Sequence, residues 1–160
     1  MRAAESRLRV IAVGRESSGP EAELFARYAK RMNPVLGLVA LADGVGSAAE
    51  IKRRESALIL GKIGAGDFVV ALDQGGAMPD SVGLATMFAG WRDSGRAVAF
   101  VIGGAEGLDG AVLARAEARL SLGRLTLPHM LARVLLAEQL YRAQCILAGH
   151  PYHRAGRPSD

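Results

Sequence analysis

The sequence predicts an α/β domain in which a mostly parallel sheet is flanked by helices. Short apolar segments alternate with longer segments of helical periodicity along the 160-residue chain. The apolar segments contain few polar side chains, as is typical of parallel strands that are covered on both faces. Because no internal repeat or linker interrupts this alternation, we expect a single domain over residues 1–160.

The first half of the chain contains two predicted strands and two predicted helices. LRVIAV (8–13) is typical of a buried strand, and residues 20–32 begin with proline and repeat apolar side chains at helical spacing. VLGLVAL (35–41) predicts the second strand. Residues 47–63 predict the second helix, because Ser47 stands three positions before a glutamate, which is the spacing of a capping box.

The second half continues the same alternation and ends in the longest helix. Its predicted elements, in chain order, are a strand at 67–73, a helix at 80–95, a strand at 97–104, a short helix at 109–120, a fifth strand at 120–125 and a helix at 128–149.

The last predicted helix carries more apolar residues than one buried face requires. A first stripe, at spacings of three and four, consists of Met130, Val134, Ala137, Tyr141, Cys145 and Ala148. A second group lies off that stripe and consists of Leu131, Leu135, Leu136, Leu140, Ile146 and Leu147. Because an amphipathic helix buries one face, the surplus predicts burial between the sheet and a second subunit, with a deep core helix as the alternative.

The composition is that of an ordinary globular protein with an excess of arginine. Half of the residues are hydrophobic, the net charge is +4, and 17 of the 20 basic side chains are arginines. Arginine binds phosphate and stacks on bases, which favours a nucleic-acid partner, although a GC-rich genome also explains the bias. The single cysteine, the lack of a membrane-length apolar stretch and the lack of a secretory leader predict a cytoplasmic protein without a membrane partner.

Three glycine-rich or turn-forming segments follow predicted strands. They are ALDQGG (71–76), VIGGAEGL (101–108) and SLGRLTLPH (121–129). Ligands of open α/β sheets bind beyond the carboxyl ends of the strands, so we expect the three loops to line one pocket. Glycine lets a backbone approach a ligand closely, although tight turns alone also explain these glycines.

Several common catalytic and nucleotide-binding signatures are absent. Residues 103–107 do not fit G-x-G-x-x-G, which argues against a Rossmann-like oxidoreductase, and the pair Gly61-Lys62 lacks the rest of a P-loop. No cluster of Cys and His stands at zinc-ligand spacing, so no metal site is expected. Cys145 lies on the apolar stripe and is interpreted as a core residue.

The segment AGHPYHR (148–154) concentrates reactive side chains close to the end of the chain. It contains two of the three histidines, together with Tyr152 and Arg154. Chain ends are usually poorly ordered unless something ties them down. The segment is therefore either docked for structural reasons or involved in chemistry.

Three segments resemble a known family. FVIGGAEGL, LSLGRLTLPHMLARVLLAEQLYRA and AGHPYHR are similar to the SPOUT (α/β-knot) methyltransferases, and the similarity extends from Leu8 to Arg154. Within that family, the chain most closely resembles the small bacterial enzymes that methylate N3 of a pseudouridine in large-subunit ribosomal RNA.

The resemblance implies a C-terminal trefoil knot, a homodimer, and S-adenosylmethionine bound in the knot without a metal; threaded chains of this kind are rare. The positions it assigns to the cofactor are Leu72, Gly103, Gly104, Gly123, Arg124, Leu125, Thr126, Leu127 and Pro128. The chain departs from the family pattern at Gly123, commonly serine, and at Gln144-Cys145, commonly Trp-Ser. A hydroxyl is therefore missing at position 123.

The resemblance also gives the tail an expected role in the partner's pocket. His153 is the candidate general base for the N3 proton, Tyr152 is a candidate for stacking on or orienting the base, and Arg154 is a candidate phosphate ligand. Water or a phosphate is an alternative base, and packing of the dimer is an alternative role for the tail. His129, at a helix start, is interpreted as structural.

The function expected from the resemblance is methylation of N3 of a pseudouridine in 23S ribosomal RNA, on assembled ribosomes. Methyl transfer from a sulfonium is an in-line displacement for which placement of the reactants supplies much of the rate. The alternative is a non-catalytic RNA- or ribosome-binding protein that keeps the same fold.

Overall fold

The computed structural model describes residues 6–15 and 18–154 of the chain. Within these ranges, strands and helices alternate strictly. The elements are β1 (Leu8–Val13), α1 (Pro20–Ala29), β2 (Gly37–Leu41), α2 (Ala48–Lys62), β3 (Phe68–Ala77), α3 (Ser81–Asp93), β4 (Val98–Ile102), α4 (Gly110–Arg115), β5 (Ala118–Leu120) and α5 (His129–Leu147).

The strands form one parallel sheet in the order β2-β1-β4-β3-β5. Every residue of β1 and of β4 is buried, which explains why these segments lack polar alternation. Because all paired strands run in the same direction, their carboxyl ends meet at one edge of the sheet. The predicted α/β fold with a parallel sheet is confirmed, and the trefoil knot stays a prediction.

Helices cover both faces of this sheet and create two cores. On one face, α1 and α3 both pack against α5, and Phe25, Phe88 and Leu136 belong to the larger core cluster. On the other face, α2 packs against α4, and Ile59 and Val112 belong to the second cluster. The sheet is therefore a rigid platform for the loops at its carboxyl edge.

The predicted helix at 109–120 and the predicted strand at 120–125 are wrong in their bounds. The helix α4 ends at Arg115, and the fifth strand β5 has already ended at Leu120. The backbone of β5 pairs with β3, with Leu120 opposite Leu72. This pairing overrides the high helix propensity of the Ala-Arg-Leu segment 118–120, and a single sequence does not reveal the pairing.

The helix α5 buries part of its apolar surplus within its own chain. Leu136 and Leu140 are fully buried, whereas Leu131, Leu135 and Leu147 are 43%, 41% and 47% exposed. The exposed leucines form the surface that the predicted second subunit would cover, and the dimer itself stays a prediction. In the described residues, no helix has both the length and the apolarity to cross a membrane.

Arginine side chains tie together the amino-terminal ends of the strands. Arg9 forms a buried ion pair with Asp67. Arg96 donates to the Asp67 carbonyl and, at 2.7 Å, to Glu117. Arg115 donates to the same two residues at 3.0 and 3.2 Å. We call these five residues the arginine network.

Candidate active site

A cavity of about 860 Å³ opens at the carboxyl edge of the sheet, beyond β3, β4 and β5. Its wall consists mainly of residues 72–74, 102–108, 120–123 and 125–129. The three segments that the sequence pattern singles out therefore meet around one space, because parallel strands deliver their carboxyl ends to the same edge. The interpretation of ALDQGG (71–76) as a segment that follows a strand is wrong, because β3 continues to Ala77. The volume lies in the range of small-molecule sites.

All but one of the positions that the resemblance assigns to the cofactor line this cavity. They are Leu72, Gly103, Gly104, Gly123, Leu125, Thr126, Leu127 and Pro128. Arg124 is exposed and does not belong to the cavity wall. The structure thus brings the set together, and its role in cofactor binding stays a prediction.

The loop after β4 presents backbone to the cavity, because its glycines allow the chain to fold tightly. The Gly107 amide donates to the Gly104 carbonyl at 3.0 Å, and φ of Gly107 is 78°, a value that favours glycine. A Cβ atom at Gly103 would lie only 2.8 Å from the carbonyl carbon of Gly107. A side chain at position 103 therefore requires the loop to move.

The turn after β5 is fixed by Ser121 and Gly123. The Ser121 hydroxyl accepts from the Gly123 amide at 3.1 Å and donates to the Gly123 carbonyl at 3.2 Å. With φ of 118°, Gly123 has a backbone conformation that other residues rarely adopt, so a side chain at position 123 would strain this turn. Leu125, 81% exposed, stands at the cavity rim.

The cavity wall also contains polar residues that the sequence pattern does not single out as site residues. They are Lys52, Asp73, Gln74, Glu106 and His129. Interpreting His129 only as a structural residue is incomplete, because its exposed side chain forms part of this wall. Asp73 and Gln74 lie in the second half of β3, and their polar side chains at the end of an apolar run were an available signal. Lys52 belongs to α2, and no local motif marks it.

The tail and the cavity lie at opposite ends of α5. His129 begins the helix in the cavity wall, and the 19 residues to Leu147 span about 28 Å. Tyr152, His153 and Arg154 accordingly do not line the cavity of their own chain. Their action in a partner's pocket stays a prediction.

Within its own chain, the tail is docked on the last turns of α5. The Tyr152 hydroxyl donates to Glu138 at 3.1 Å, and its ring packs edge-on against Tyr141 with centroids 4.8 Å apart. Burial, together with hydrogen bonding to Tyr28 and the charge of Glu138, raises the pKa of Tyr152. The phenol is therefore protonated at neutral pH and acts as a hydrogen-bond donor.

Arg142 determines which nitrogen of His153 carries a proton. The Arg142 guanidinium lies 3.2 Å from His153 Nδ1. The same guanidinium donates to Glu138 at 2.5 Å, and this hydrogen bond raises the pKa of Arg142. A guanidinium only donates, so we assign Nδ1 as the acceptor and Nε2 as the protonated nitrogen of the neutral ring. To accept a proton from a substrate, the His153 ring must first leave Arg142.

The described residues, 6–15 and 18–154, contain no evident metal site. No group of three or more His, Cys, Asp or Glu side chains in these ranges is placed to hold a metal ion. Cys145, the residue interpreted as a core residue, is buried.

Comparison with known sequences identifies relatives over nearly the whole chain. The family model described as "Predicted SPOUT methyltransferase" matches residues 6–153. "Ribosomal RNA large subunit methyltransferase H" of Acidiphilium cryptum is 65% identical, over 99% of this chain and 100% of the relative. The protein of the same name from Gluconacetobacter diazotrophicus is 56% identical, over 95% of this chain and 100% of the relative.

Solved structures with a similar fold are more distant in sequence. A probable methylase family protein from Haemophilus influenzae has a TM-score of 0.58 and 13% identity, over 96% of this chain and 72% of that chain. A probable methyltransferase from Bordetella pertussis has a TM-score of 0.53 and 21% identity, over 89% of this chain and 99% of that chain. Since the family model covers residues 6–153 and the curated relatives match over their full length, the chain belongs to the SPOUT methyltransferase family.

Proposed function

We propose that this chain is an S-adenosylmethionine-dependent methyltransferase that acts on N3 of a pseudouridine in 23S ribosomal RNA. The observation that carries the proposal is the cavity, in which residues assigned to the cofactor come from β3 and from the loops after β4 and β5 and enclose one space. The curated relatives, named as ribosomal RNA large subunit methyltransferases, support a ribosomal substrate. Assembled ribosomes in the cytoplasm are the proposed target.

The residues present fit S-adenosylmethionine in size and in chemistry. The cavity of about 860 Å³ accepts a ligand of this class. Tightly folded backbone at 103–107 and 121–123 provides amide and carbonyl groups for the polar parts of the cofactor, and Leu72, Ile102 and Leu125 provide apolar surface for its base. S-adenosylmethionine supplies an activated methyl group, and the protein's contribution is to place donor and acceptor in line.

The acceptor side of the site is proposed to come from a second copy of the chain. The exposed leucines Leu131 and Leu135, one turn apart on α5, provide an apolar face for that copy. Because the tail is docked on α5 and does not line the cavity of its own chain, the tail that completes the cavity is proposed to be the partner's.

Each tail residue has a proposed task in this composite site. Arg154, which is exposed, binds an RNA phosphate. Tyr152, held protonated, donates to or stacks on the target base. His153, once released from Arg142, accepts the N3 proton through a free ring nitrogen.

Transfer of labelled methyl groups tests the proposed activity. Purified protein is incubated with labelled S-adenosylmethionine and ribosomes from a strain lacking the modification, and the digested RNA is analysed by mass spectrometry. We expect label only in 23S RNA, as N3-methylpseudouridine. Donor binding without any transfer would contradict the proposal and favour the non-catalytic ribosome-binding alternative.

Matched arginine variants separate RNA contact from general charge. Arg154→Gln should lower transfer about tenfold or more at unchanged donor affinity, because it removes a charge-assisted phosphate contact. Arg27→Gln, an exposed arginine on α1, is the control and should change neither quantity.

Mixing two inactive variants tests the contribution of the partner. Gly103→Ala damages the cavity and His153→Ala damages the tail, so a mixed dimer contains one intact composite site. Recovery of partial activity after subunit exchange is expected. A mixture as inactive as its components would contradict the composite site.

A further inference from the structure

The helix α2 buries two polar side chains where a helix normally buries apolar ones. Its buried residues are Glu55, Ser56 and Ile59, and Glu55 and Ser56 are 3% and 1% exposed. Glutamate is almost never fully buried unless it is paired, because desolvation of a carboxylate is costly. The pair therefore requires an explanation beyond filling the core.

Both side chains contact loops at the carboxyl edge of the sheet. Glu55 Oε2 accepts from the Gly44 amide at 3.0 Å, and the Ser56 hydroxyl accepts from the Asp109 amide at 3.1 Å. Ser56 thus holds the far end of the loop after β4, and Glu55 is fixed by the loop that precedes α2. The carboxylate has a defined position behind the cavity wall.

The second oxygen of Glu55 has no hydrogen-bond partner among the described residues. A Cβ atom at Gly104 would lie 2.6 Å from this oxygen, Oε1. Since Gly104 lines the cavity, only a glycine backbone separates the buried carboxylate from the cavity. An unpaired buried carboxylate oxygen next to a cavity favours a cationic occupant.

The other charged residues of the cavity wall act less strongly on the charge of a bound ligand than Glu55 does. Lys52 and Asp73 are partly exposed and Glu106 is exposed, so water and salt screen them. His129 is exposed as well. Glu55 is enclosed by protein, where the effective dielectric constant is lower and a charge acts over a longer distance.

We propose that Glu55 is a specificity-determining residue that makes the cavity prefer a cationic sulfonium donor to its neutral thioether product. This inference rests on the proposed function, because it assumes that S-adenosylmethionine occupies the cavity.

In the transfer, the bond from sulfur to the methyl carbon breaks with its electron pair left on sulfur. The bond from N3 to that carbon forms, and the N3 proton passes to a base. The ligand loses its positive charge in this step, so the carboxylate favours exchange of the product for a new donor.

Calorimetry with two ligands tests this proposal. The probes are S-adenosylmethionine and S-adenosylhomocysteine, which differ in the methyl group and its charge. For Glu55→Gln, which keeps the shape and removes the charge, the affinity for S-adenosylmethionine should fall about tenfold relative to that for S-adenosylhomocysteine. Glu23→Gln, an exposed carboxylate on α1, is the matched control and should leave the affinity ratio unchanged.

A second variant separates the effect of the Glu55 charge from the effect of holding the loop in place. Ser56→Ala removes the bond to Asp109 without changing charge, so both affinities should fall by the same factor. If Glu55→Gln also weakens both ligands equally, Glu55 is merely structural and the proposal is overturned. If the wild-type protein binds neither ligand, the proposed function fails instead.

A measurement on the wild-type protein keeps the test independent of variant folding. An analogue with an ammonium group in place of the sulfonium should bind more tightly than the thioether. Equal affinity for the cationic and neutral ligands in a protein that binds both would overturn the role of Glu55.

Discussion

The two edges of the sheet use their polar groups in opposite ways. At the amino edge, the arginine network pairs its charges with carboxylates and backbone carbonyls of the same chain. At the carboxyl edge, the wall is largely backbone, and Glu55 retains an oxygen without a partner among the described residues. Polar groups satisfied within the protein stabilise the fold, whereas unsatisfied ones are available to a ligand.

This contrast changes the interpretation of the arginine content. Arg9, Arg96 and Arg115 bond to protein groups at the amino edge. Arg133, 1% exposed, donates to two carbonyls at the carboxyl end of β1. These four arginines are therefore structural, and the proposed contact with RNA is assigned to exposed arginines such as Arg154.

The largest expected effect is the loss of stability when the buried ion pair at the amino edge of the sheet is removed. Asp67→Ala removes the partner of the buried Arg9 and the acceptor of the Gly64 amide, which lies 2.7 Å from the carboxylate. An uncompensated buried charge should lower the free energy of unfolding by about 3–5 kcal/mol, measured by urea denaturation. Donor affinity, measured by calorimetry on the folded protein, should change by less than about twofold, because the cavity lies at the other edge.

An exposed aspartate provides the control for this variant. Asp93→Ala, at the end of α3, should change the free energy of unfolding by less than about 0.5 kcal/mol. A large loss of donor affinity in Asp67→Ala would contradict the division of roles between the edges.

The next largest effect is expected at the carboxyl edge, on binding. Gly103→Ala puts a Cβ atom 2.8 Å from backbone of the same loop, so the loop must move. Donor affinity should fall about 30-fold, a loss of about 2 kcal/mol in binding free energy, with a smaller loss of stability. Calorimetry and urea denaturation measure the two quantities.

A glycine with free space provides the matched control. A Cβ atom at Gly90, in α3, meets nothing within 4 Å. Gly90→Ala should leave donor affinity unchanged and raise the free energy of unfolding by about 0.5–1 kcal/mol, because alanine favours a helix. Equal donor affinities in the two variants would contradict a special role for position 103.

The sheet was largely predictable from the sequence, because local pattern determines it. Residues 8–13 are apolar except for Arg9 and are followed by a glycine, and β1 spans Leu8–Val13. The segment 118–120 was not predictable as a strand. It is short, contains alanine, and becomes a strand only through its pairing with β3.

The same distinction applies to the candidate site. The carboxyl-terminal part of β3 and the loops after β4 and β5 were predictable as parts of one site, because parallel strands deliver their carboxyl ends to one edge. Lys52 and Glu55 were not, because they reach the cavity region only through the packing of α2 against the sheet. Glu55 directly follows three basic residues at 52–54, so no local pattern marked it as buried.

Glu117 in the arginine network is expected to make a smaller, pH-dependent contribution to the free energy of unfolding. Burial raises the pKa of this carboxyl, but hydrogen bonds from the Val69 amide and from Arg96 outweigh burial and place the pKa below its ordinary value of 4.5. The unfolded chain then binds the proton more readily, so this contribution to stability is full above pH 4.5 and is lost as the pH falls through the folded pKa.

Glu117→Gln measures this contribution. At neutral pH, the variant should unfold more easily by about 1–2 kcal/mol, because the bond from the buried Val69 amide, 2.7 Å long, becomes weaker. The difference from wild type should shrink below pH 4.5 in urea denaturation. A difference that stays constant with pH would assign the effect to packing alone.

The smallest expected effect tests the geometry of the amino edge. The Arg115 guanidinium donates to the Gly64 carbonyl at 3.1 Å, the Asp67 carbonyl at 3.0 Å and Glu117 at 3.2 Å. A lysine ammonium is a point charge that does not span this arc of acceptors, so Arg115→Lys should lower the free energy of unfolding by about 0.5–1 kcal/mol. Because two of the three acceptors are neutral carbonyls, added salt should change this loss only slightly. If Arg115→Lys weakens donor binding without lowering the free energy of unfolding, the two edges of the sheet are coupled through β3. That result would contradict the separation of charge pairing at the amino edge from ligand binding at the carboxyl edge.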